Sequence, residues 1–145
     1  MKIRPDQLNA SLEKGLQPIY IVSGDEVLLC QEACDSIRKA SYHHGIEERL
    51  RFVADAQFDW QDVTNELQAL SLFSSRRLFD IQIDKLAEKH SKALAQIVQH
   101  LSLDNVVLLS LPKVDARTQK SKWFTALEQA GAFIQVWPID ANRLP

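Results

Sequence analysis

A turn near residue 24 has the position, but not the composition, of a phosphate-binding loop. Ser23, Gly24 and Asp25 follow an apolar run and precede a helical pattern. A phosphate-binding loop at such a place needs glycines, a lysine and a hydroxyl, because backbone N–H groups and the lysine surround the phosphates. This turn has a single glycine and no lysine, and the carboxylates of Asp25 and Glu26 repel phosphate at close range. We therefore predict no nucleotide site here, and we expect Asp25 and Glu26 to cap the following helix.

The cysteines and histidines of the next helical segment raise the question of a metal site. The candidate ligands are Cys30, Cys34, His43 and His44. At a rise of about 1.5 Å per residue, Cys30 and His44 lie roughly 20 Å apart on one helix, which is too far to share a metal ion. We instead expect the cysteines to be small apolar residues of the buried helix face, and we expect His90 and His100 to lie on a polar helix face. The acidic residues are scattered and form no evident acid/base pair, so the sequence predicts no catalytic site and no cofactor.

The composition is that of one soluble globular domain. The chain has 145 residues, of which 46% are hydrophobic and 25% are charged, and its formal net charge is -2. Such a charge does not attract the whole molecule to nucleic acid or to an anionic membrane. No apolar run is long enough to span a membrane, and the N-terminus lacks the apolar stretch of a signal peptide. We expect a cytoplasmic protein with reduced cysteines.

Helical and strand patterns alternate along the chain. Helices are predicted at 5–14, 26–44, 60–70, 88–101 and 120–130, and strands at 19–22, 50–54, 78–83, 106–111 and 133–136. Strands that are separated by helices of about ten or more residues imply right-handed crossovers and a parallel sheet. The continuously apolar strands 19–22 and 106–111 suit central positions that are covered on both faces. The predicted fold is therefore α/β, a three-layer sandwich with about five parallel strands.

The last residues of the chain are typical of a linker. Asn142, Arg143 and Pro145 follow the last predicted strand, and domain boundaries favour polar and proline-containing stretches. We expect a single domain over residues 1–140, with 141–145 as the start of a linker to further domains.

A basic stretch runs from the end of the fourth predicted strand into the start of the last predicted helix. Its members are Lys113, Arg117, Lys120 and Lys122. Charge runs are usually solvated, so an exposed loop is one interpretation. Contact with DNA or with a neighbouring subunit is the other.

Two large apolar residues leave the pattern of the helix predicted at 60–70. The core stripe of this helix consists of Trp60, Val63, Leu67 and Leu70. At about 100° per residue, the same helix would place Leu72 on the opposite side and Phe73 roughly 90° from the centre of the stripe. One interpretation is that the helix ends at Ser71 and that both residues fold back into the core. The other is that Leu72 and Phe73 are exposed anchors for a groove on a partner.

The sequence around this break resembles a known family. The clamp-binding element of bacterial sliding-clamp ligands, a glutamine followed by a small polar residue, leucine and phenylalanine, is similar to Gln68, Ser71, Leu72 and Phe73. The stretch 68–76 resembles the delta subunit of the DNA polymerase III clamp loader. Two further stretches agree, in order along the chain. The stretch 24–32 is similar to the element after the family's first strand, with Leu29 one place from a strict match, and 123–127 is similar to a late helix.

The resemblance implies an architecture and a set of partners. It implies a P-loop NTPase-like fold of the AAA+ type in which delta has no working ATP site and no active site of its own. It implies that delta binds the ring-shaped sliding clamp, the beta subunit, and helps to open the ring for loading onto primed DNA. The implied loader partners are delta-prime and the ATP-hydrolysing gamma/tau subunits, with DNA contacted only through the assembled loader and no membrane involved. Family members continue into further helical domains, in agreement with a linker at 141–145.

The resemblance also assigns roles to single residues. The clamp-binding set is Gln68, Leu70, Ser71, Leu72 and Phe73. Leu72 and Phe73 would be the anchors in the clamp pocket, and Gln68 would make a polar contact at its rim. Ser71 would help to turn the chain, whereas Leu70 is ambiguous because it also belongs to the core stripe. Two alternatives to this function remain: a nucleotide-dependent α/β enzyme, which rests on fold analogy, and a non-specific DNA-binding module that uses the basic stretch.

Overall fold

The computed structural model of the chain describes residues 1–68, 76–102 and 105–136. The strands of this part are β1 (Lys2–Ile3), β2 (Ile19–Ser23), β3 (Glu48–Val53), β4 (Arg77–Gln82), β5 (Asn105–Leu111) and β6 (Ala132–Gln135). They form one parallel sheet in the order β1-β6-β2-β5-β4-β3. The predicted parallel α/β sheet is confirmed.

The predicted number of strands was one too low for the described residues. The additional strand is β1, which pairs with β6 through Lys2 opposite Phe133 and Ile3 opposite Ile134. A strand of two residues is too short to produce a periodic pattern, so its position depends on β6 rather than on its own sequence.

Helices cover both faces of the sheet. Their bounds are α1 (Leu8–Lys14), α2 (Val27–His43), α3 (Gln61–Gln68), α4 (Glu88–Ile97), α5 (Ala116–Gln119) and α6 (Lys122–Ala130). Single 3-10 turns precede α1 at Pro5–Gln7 and follow α4 at Val98–His100. The short helix α5 was not predicted. It is capped by Asp115, whose side chain accepts a hydrogen bond from the Thr118 backbone nitrogen at 2.7 Å.

Alternate residues of each central strand belong to two separate cores. In β2, Ile19 and Ile21 pack with apolar residues of α3, α4 and α6, whereas Tyr20 and Val22 pack with those of α1 and α2. All five residues of β2 are buried, as expected for a central strand of a parallel sheet. The predicted three layers are therefore present: helices, sheet and helices.

The prediction for His90 was wrong. This residue is only 2% exposed, and its Nδ1 accepts a hydrogen bond from the Trp60 indole nitrogen at 2.9 Å. His90 precedes Leu94 and Ile97 by four and seven residues, so it continues the buried stripe of α4 toward the start of the helix. Burial, followed by the nearby positive charge of Lys89, lowers the pKa of the His90 imidazole. The hydrogen bond between His90 and Trp60 thus joins α4 to the residue that precedes α3.

Candidate functional site

Polar groups of the turn after β2 form hydrogen bonds within the chain. The Ser23 hydroxyl donates to the Pro112 carbonyl oxygen at 2.8 Å and accepts from the Val114 backbone nitrogen at 3.2 Å. A Cβ atom on Gly24 would lie 2.6 Å from the Val136 carbonyl oxygen, so close packing against the end of β6 requires glycine here. The Glu26 carboxylate caps α2 by accepting from the Leu28 backbone nitrogen at 3.3 Å. The predicted capping role is confirmed for Glu26, and the turn serves the packing of its own strands.

Asp25 does not share this capping contact. Its carboxylate lies 3.9 Å from the ammonium group of Lys113, and both side chains are more than half exposed. An ion pair of that length and exposure contributes little to stability.

A cavity of about 580 Å³ opens beside this turn at the carboxyl ends of β2, β4 and β5. Charged side chains of both signs line it: Asp25, Asp35, Asp84, Arg38 and Arg51. The carboxylates offset the guanidinium groups, so the cavity does not present the concentrated positive charge that a polyphosphate requires.

The helix beside the cavity carries the two cysteines. Cys34 is buried and Cys30 is half-buried, and both are free thiols. Burial raises the pKa of the Cys34 thiol to about 11, which keeps it in the unreactive protonated form. The cysteines therefore belong to the packing of α2, as predicted. Among the residues that the structure describes, no group of three or more metal-ligating side chains could hold a metal ion.

A buried carboxylate on β4 organises three arginines on the α2 face of the sheet. Asp80 is 1% exposed, and its Oδ2 lies 2.8 Å from Arg38 Nε, 3.1 Å from Arg49 Nε and 3.6 Å from Arg51 Nη1. The alternation along β4 identifies Asp80 as a residue on the opposite face from Phe79 and Ile81. It does not indicate that α2 and β3 enclose this face, so the cluster could not be predicted from local sequence.

The segment singled out for clamp binding lies mostly outside the described residues. Of its five candidates, only Gln68 is described, and Leu70, Ser71, Leu72 and Phe73 are not. The helix that leads to them is well fixed, because Trp60, Val63 and Leu67 are buried in the core as predicted. Leu70, the fourth predicted member of that stripe, is among the residues that are not described.

Gln68 is the last residue of α3 and is exposed. Its side-chain nitrogen lies 3.5 Å from Nδ1 and 3.4 Å from Nε2 of the His100 ring. These are long contacts at an exposed position, so the Gln68 amide is loosely held and accessible. Its neighbour is His100, which was predicted to lie on a polar helix face.

Arg77, at the start of β4, faces the same end of α3. Its Nη1 lies 2.7 Å from Glu66 Oε2, and its Nη2 donates to the Glu66 carbonyl oxygen. Its guanidinium lies 5.2 Å from the centre of the Phe79 ring. This pair was not predicted. The two-residue spacing of Arg77 and Phe79 places both side chains on the same face of the strand, but it does not identify Glu66 as the partner.

All four side chains of the basic stretch are exposed. Lys113, Arg117, Lys120 and Lys122 lie in the connection after β5 or at the start of α6. Their exposure is compatible both with a solvated loop and with a contact surface. None of the helices in the described ranges is both long enough and apolar enough to cross a membrane.

Comparisons with known proteins identify relatives of this chain. Two curated relatives are named DNA polymerase III subunit delta. The one from Haemophilus influenzae is 28% identical over 129 residues, covering 88% of this chain and 38% of the relative. The one from Escherichia coli is 27% identical over 147 aligned positions, covering 100% of this chain and 43% of the relative. The chain thus spans about two fifths of the length of these curated relatives.

A solved structure and a family model extend the comparison. A DNA clamp loader delta protein of Bacillus subtilis has a similar fold, with a TM-score of 0.68 at 19% sequence identity over 95% of this chain and 44% of that chain. The family model described as "DNA polymerase III, delta subunit" matches residues 20–136, which is most of the chain and begins at the second residue of β2. The chain therefore belongs to the DNA polymerase III delta subunit family.

Proposed function

We propose that this domain is the part of a clamp-loader delta subunit that binds the sliding clamp and helps to open the ring for loading onto primed DNA. The observation that carries the proposal is the family membership of residues 20–136. It is supported by α3, whose buried stripe of Trp60, Val63 and Leu67 holds the helix against the core and brings it to an exposed Gln68.

Each residue of the clamp-binding set has a separate role in this proposal. Leu72 and Phe73 enter an apolar pocket on the clamp and supply most of the binding energy, because large apolar anchors dominate such interfaces. Gln68 adds a polar contact at the rim of the pocket, in keeping with its exposure and its loose contact with His100. Ser71 would help to turn the chain, and Leu70 belongs both to the proposed clamp-binding set and to the predicted core stripe.

The sheet supports assignment to the AAA+ type of P-loop NTPase-like folds. The turn at Gly24 follows the central strand β2, which is where such folds bind nucleotide. In this chain, Ser23 is occupied by hydrogen bonds within the fold and Gly24 is packed against Val136. We therefore assign the domain no ATP site and no catalytic site.

The wider assembly in this proposal is the one that the family resemblance implies. The partners of the domain are the clamp, delta-prime and the gamma/tau subunits, and DNA is reached through the assembled loader in the cytoplasm. In this proposal the clamp-binding domain covers residues 1–140. The exposed residues Lys113, Arg117, Lys120 and Lys122 are available for a contact with DNA or a neighbouring subunit in that assembly.

A binding experiment with the cognate sliding clamp tests the proposal. The wild-type domain is expected to retain the clamp in a pull-down, and Leu72→Ala with Phe73→Ala is expected to abolish retention. The chain offers a matched control in Val27 and Leu28, another adjacent apolar pair, which are 65% and 68% exposed on α2. Replacing both with alanine should leave clamp binding unchanged. Retention of the clamp by the Leu72/Phe73 variant, or no retention by the wild type, would contradict the proposal.

A further inference from the structure

The exposed side of α3 carries amide side chains in place of charges. Gln61, Asn65 and Gln68 are all exposed, and at about 100° per residue they fall within roughly 60° of each other around the helix. These three residues are the amide face of α3. The acidic residues of the helix, Asp62 and Glu66, lie roughly 60° and 100° beyond Asn65 by the same count, so the amide face itself is uncharged.

This composition differs from that of the other helices. Among the α-helices in the described ranges, α3 alone has no lysine and no arginine. On α4, by contrast, the exposed side carries the ion pair of Lys92 and Glu88 at 3.3 Å. Lysine, glutamate and aspartate are depleted at protein interfaces, because removing a charge from water costs free energy. An exposed face without charges is therefore suited to contact with another protein.

The amides are already ordered on a fixed helix. The Gln61 side-chain nitrogen donates to Asn65 Oδ1 at 2.8 Å, and the Asp59 carboxylate accepts from the Gln61 backbone nitrogen at 2.9 Å. On the opposite side of the helix, Val63 and Leu67 are buried in the core. Each amide has two donors and two acceptor sites, so the bond between Gln61 and Asn65 leaves both able to bind further groups. Groups that are ordered in advance lose less conformational freedom on binding than mobile side chains do.

The charge of α3 indicates the class of partner. The charged residues of the helix are Asp62 and Glu66, so it carries no group that attracts a phosphate backbone. Amide groups instead match the backbone N–H and C=O groups and the uncharged polar side chains of a protein surface. The amide face includes Gln68, the described member of the proposed clamp-binding set, and is therefore continuous with that site.

We propose that the amide face of α3 is a second contact surface for the sliding clamp, with Gln61 and Asn65 as binding residues. Both amides form hydrogen bonds with uncharged polar groups of the clamp. The surface extends the proposed site from Gln68 to Gln61, about 10 Å along the helix at a rise of about 1.5 Å per residue. This inference rests on the proposed function, and it goes beyond it because neither Gln61 nor Asn65 belongs to the clamp-binding set.

Titration calorimetry of the full chain with the cognate clamp tests the inference, at a temperature where every variant is folded. Gln61→Ala with Asn65→Ala is expected to weaken clamp binding about tenfold, because the change removes two interfacial hydrogen bonds. The matched control is Gln96→Ala, which removes an exposed amide from α4 and should bind like wild type. Since the contact is uncharged, the ratio of wild-type to double-variant affinity should stay constant as salt is raised.

A second variant separates contact with the clamp from stability of the fold. Gln61→Glu nearly keeps the shape of the side chain and adds a negative charge in the first turn of α3, where it interacts favourably with the helix dipole. Thermal unfolding should show a midpoint no lower than that of wild type. Clamp affinity should nevertheless fall about tenfold, because the added charge would have to leave water at the interface.

Three results would overturn the inference. They are wild-type affinity in both the Gln61→Ala/Asn65→Ala and the Gln61→Glu proteins, an equal loss in Gln96→Ala, and an affinity ratio that shrinks as salt is raised. If the wild-type chain binds no clamp, the proposed function fails instead, so the two failures are distinguishable.

Discussion

The turn after β2 and the residue Gln68 of α3 differ in what their side chains contact. At the turn, the Ser23 hydroxyl makes two hydrogen bonds within the chain and Gly24 is covered by the end of β6. At Gln68 of α3, the side chain is exposed and makes only long contacts with His100. The turn, a position usually linked to nucleotide binding, is a packing contact, whereas Gln68 presents an exposed polar side chain.

The largest expected effect is the difference in stability between a substitution in the core stripe of α3 and substitutions at Leu72 and Phe73. Leu67→Ala should lower the free energy of unfolding by about 3 kcal/mol, because it leaves a cavity in the core. Leu72→Ala with Phe73→Ala should cost less than about 1 kcal/mol while clamp binding is lost. Chemical denaturation and clamp titration of the same samples measure both quantities. A loss of several kcal/mol in the double variant would place Leu72 and Phe73 in the core instead.

The next effect tests the packing role of the turn. Gly24→Ala puts a methyl group 2.6 Å from the Val136 carbonyl oxygen and 3.2 Å from Cys30 Sγ. We expect the free energy of unfolding to fall by about 2 kcal/mol, since a crowded core position must shift to accept the added atom. Urea unfolding measures the change, and clamp affinity of the folded variant serves as the internal control. If affinity falls together with stability, the turn and the helix end are not independent.

A smaller effect concerns the start of α3, where Trp60 is bonded to His90. The pKa of the His90 imidazole is lowered in the folded protein, so the unfolded chain binds the proton more readily. Stability contributed by neutral His90 is present above the pKa of the unfolded chain, about 6.5, and is lost as the pH falls below it. The thermal midpoint should therefore drop more in wild type than in His90→Gln over this range. Parallel pH profiles of the two proteins would leave His90 without a role in the acid response.

The last prediction is the absence of ATP binding. Titration of the domain with ATP and magnesium should give no binding heat, because the turn offers phosphate no lysine and its serine is already bonded. Measurable binding that disappears in a Gly24 variant would restore the nucleotide-dependent alternative.

The sequence was most informative for features that depend on the residues of a single helix or strand. Apolar runs predicted the central strands β2 and β5, and the stripe of Trp60, Val63 and Leu67 predicted the buried face of α3. Motif chemistry likewise predicted that Glu26 would cap α2.

The missed features depend on partners far away along the chain. Asp80 meets Arg38, which is 42 residues away, and Trp60 meets His90, which is 30 residues away. Local periodicity states which face a residue lies on, but not which side chain on another element completes the contact. The same limit applied to Arg77, whose inward position was readable and whose partner in α3 was not.

The arginines on β3 affect how readily two copies of the domain associate through the edge of the sheet. In the described residues, β3 pairs only with β4 and stands at the end of the sheet order, so one row of its backbone groups faces outward. An open strand edge is a template for pairing with another chain. Glu48, Arg49 and Arg51 place charge on three of its six positions, and a second strand docking there would have to desolvate them. Two of the guanidinium groups that surround Asp80, those of Arg49 and Arg51, thus also disfavour the pairing of β3 with a strand of another copy.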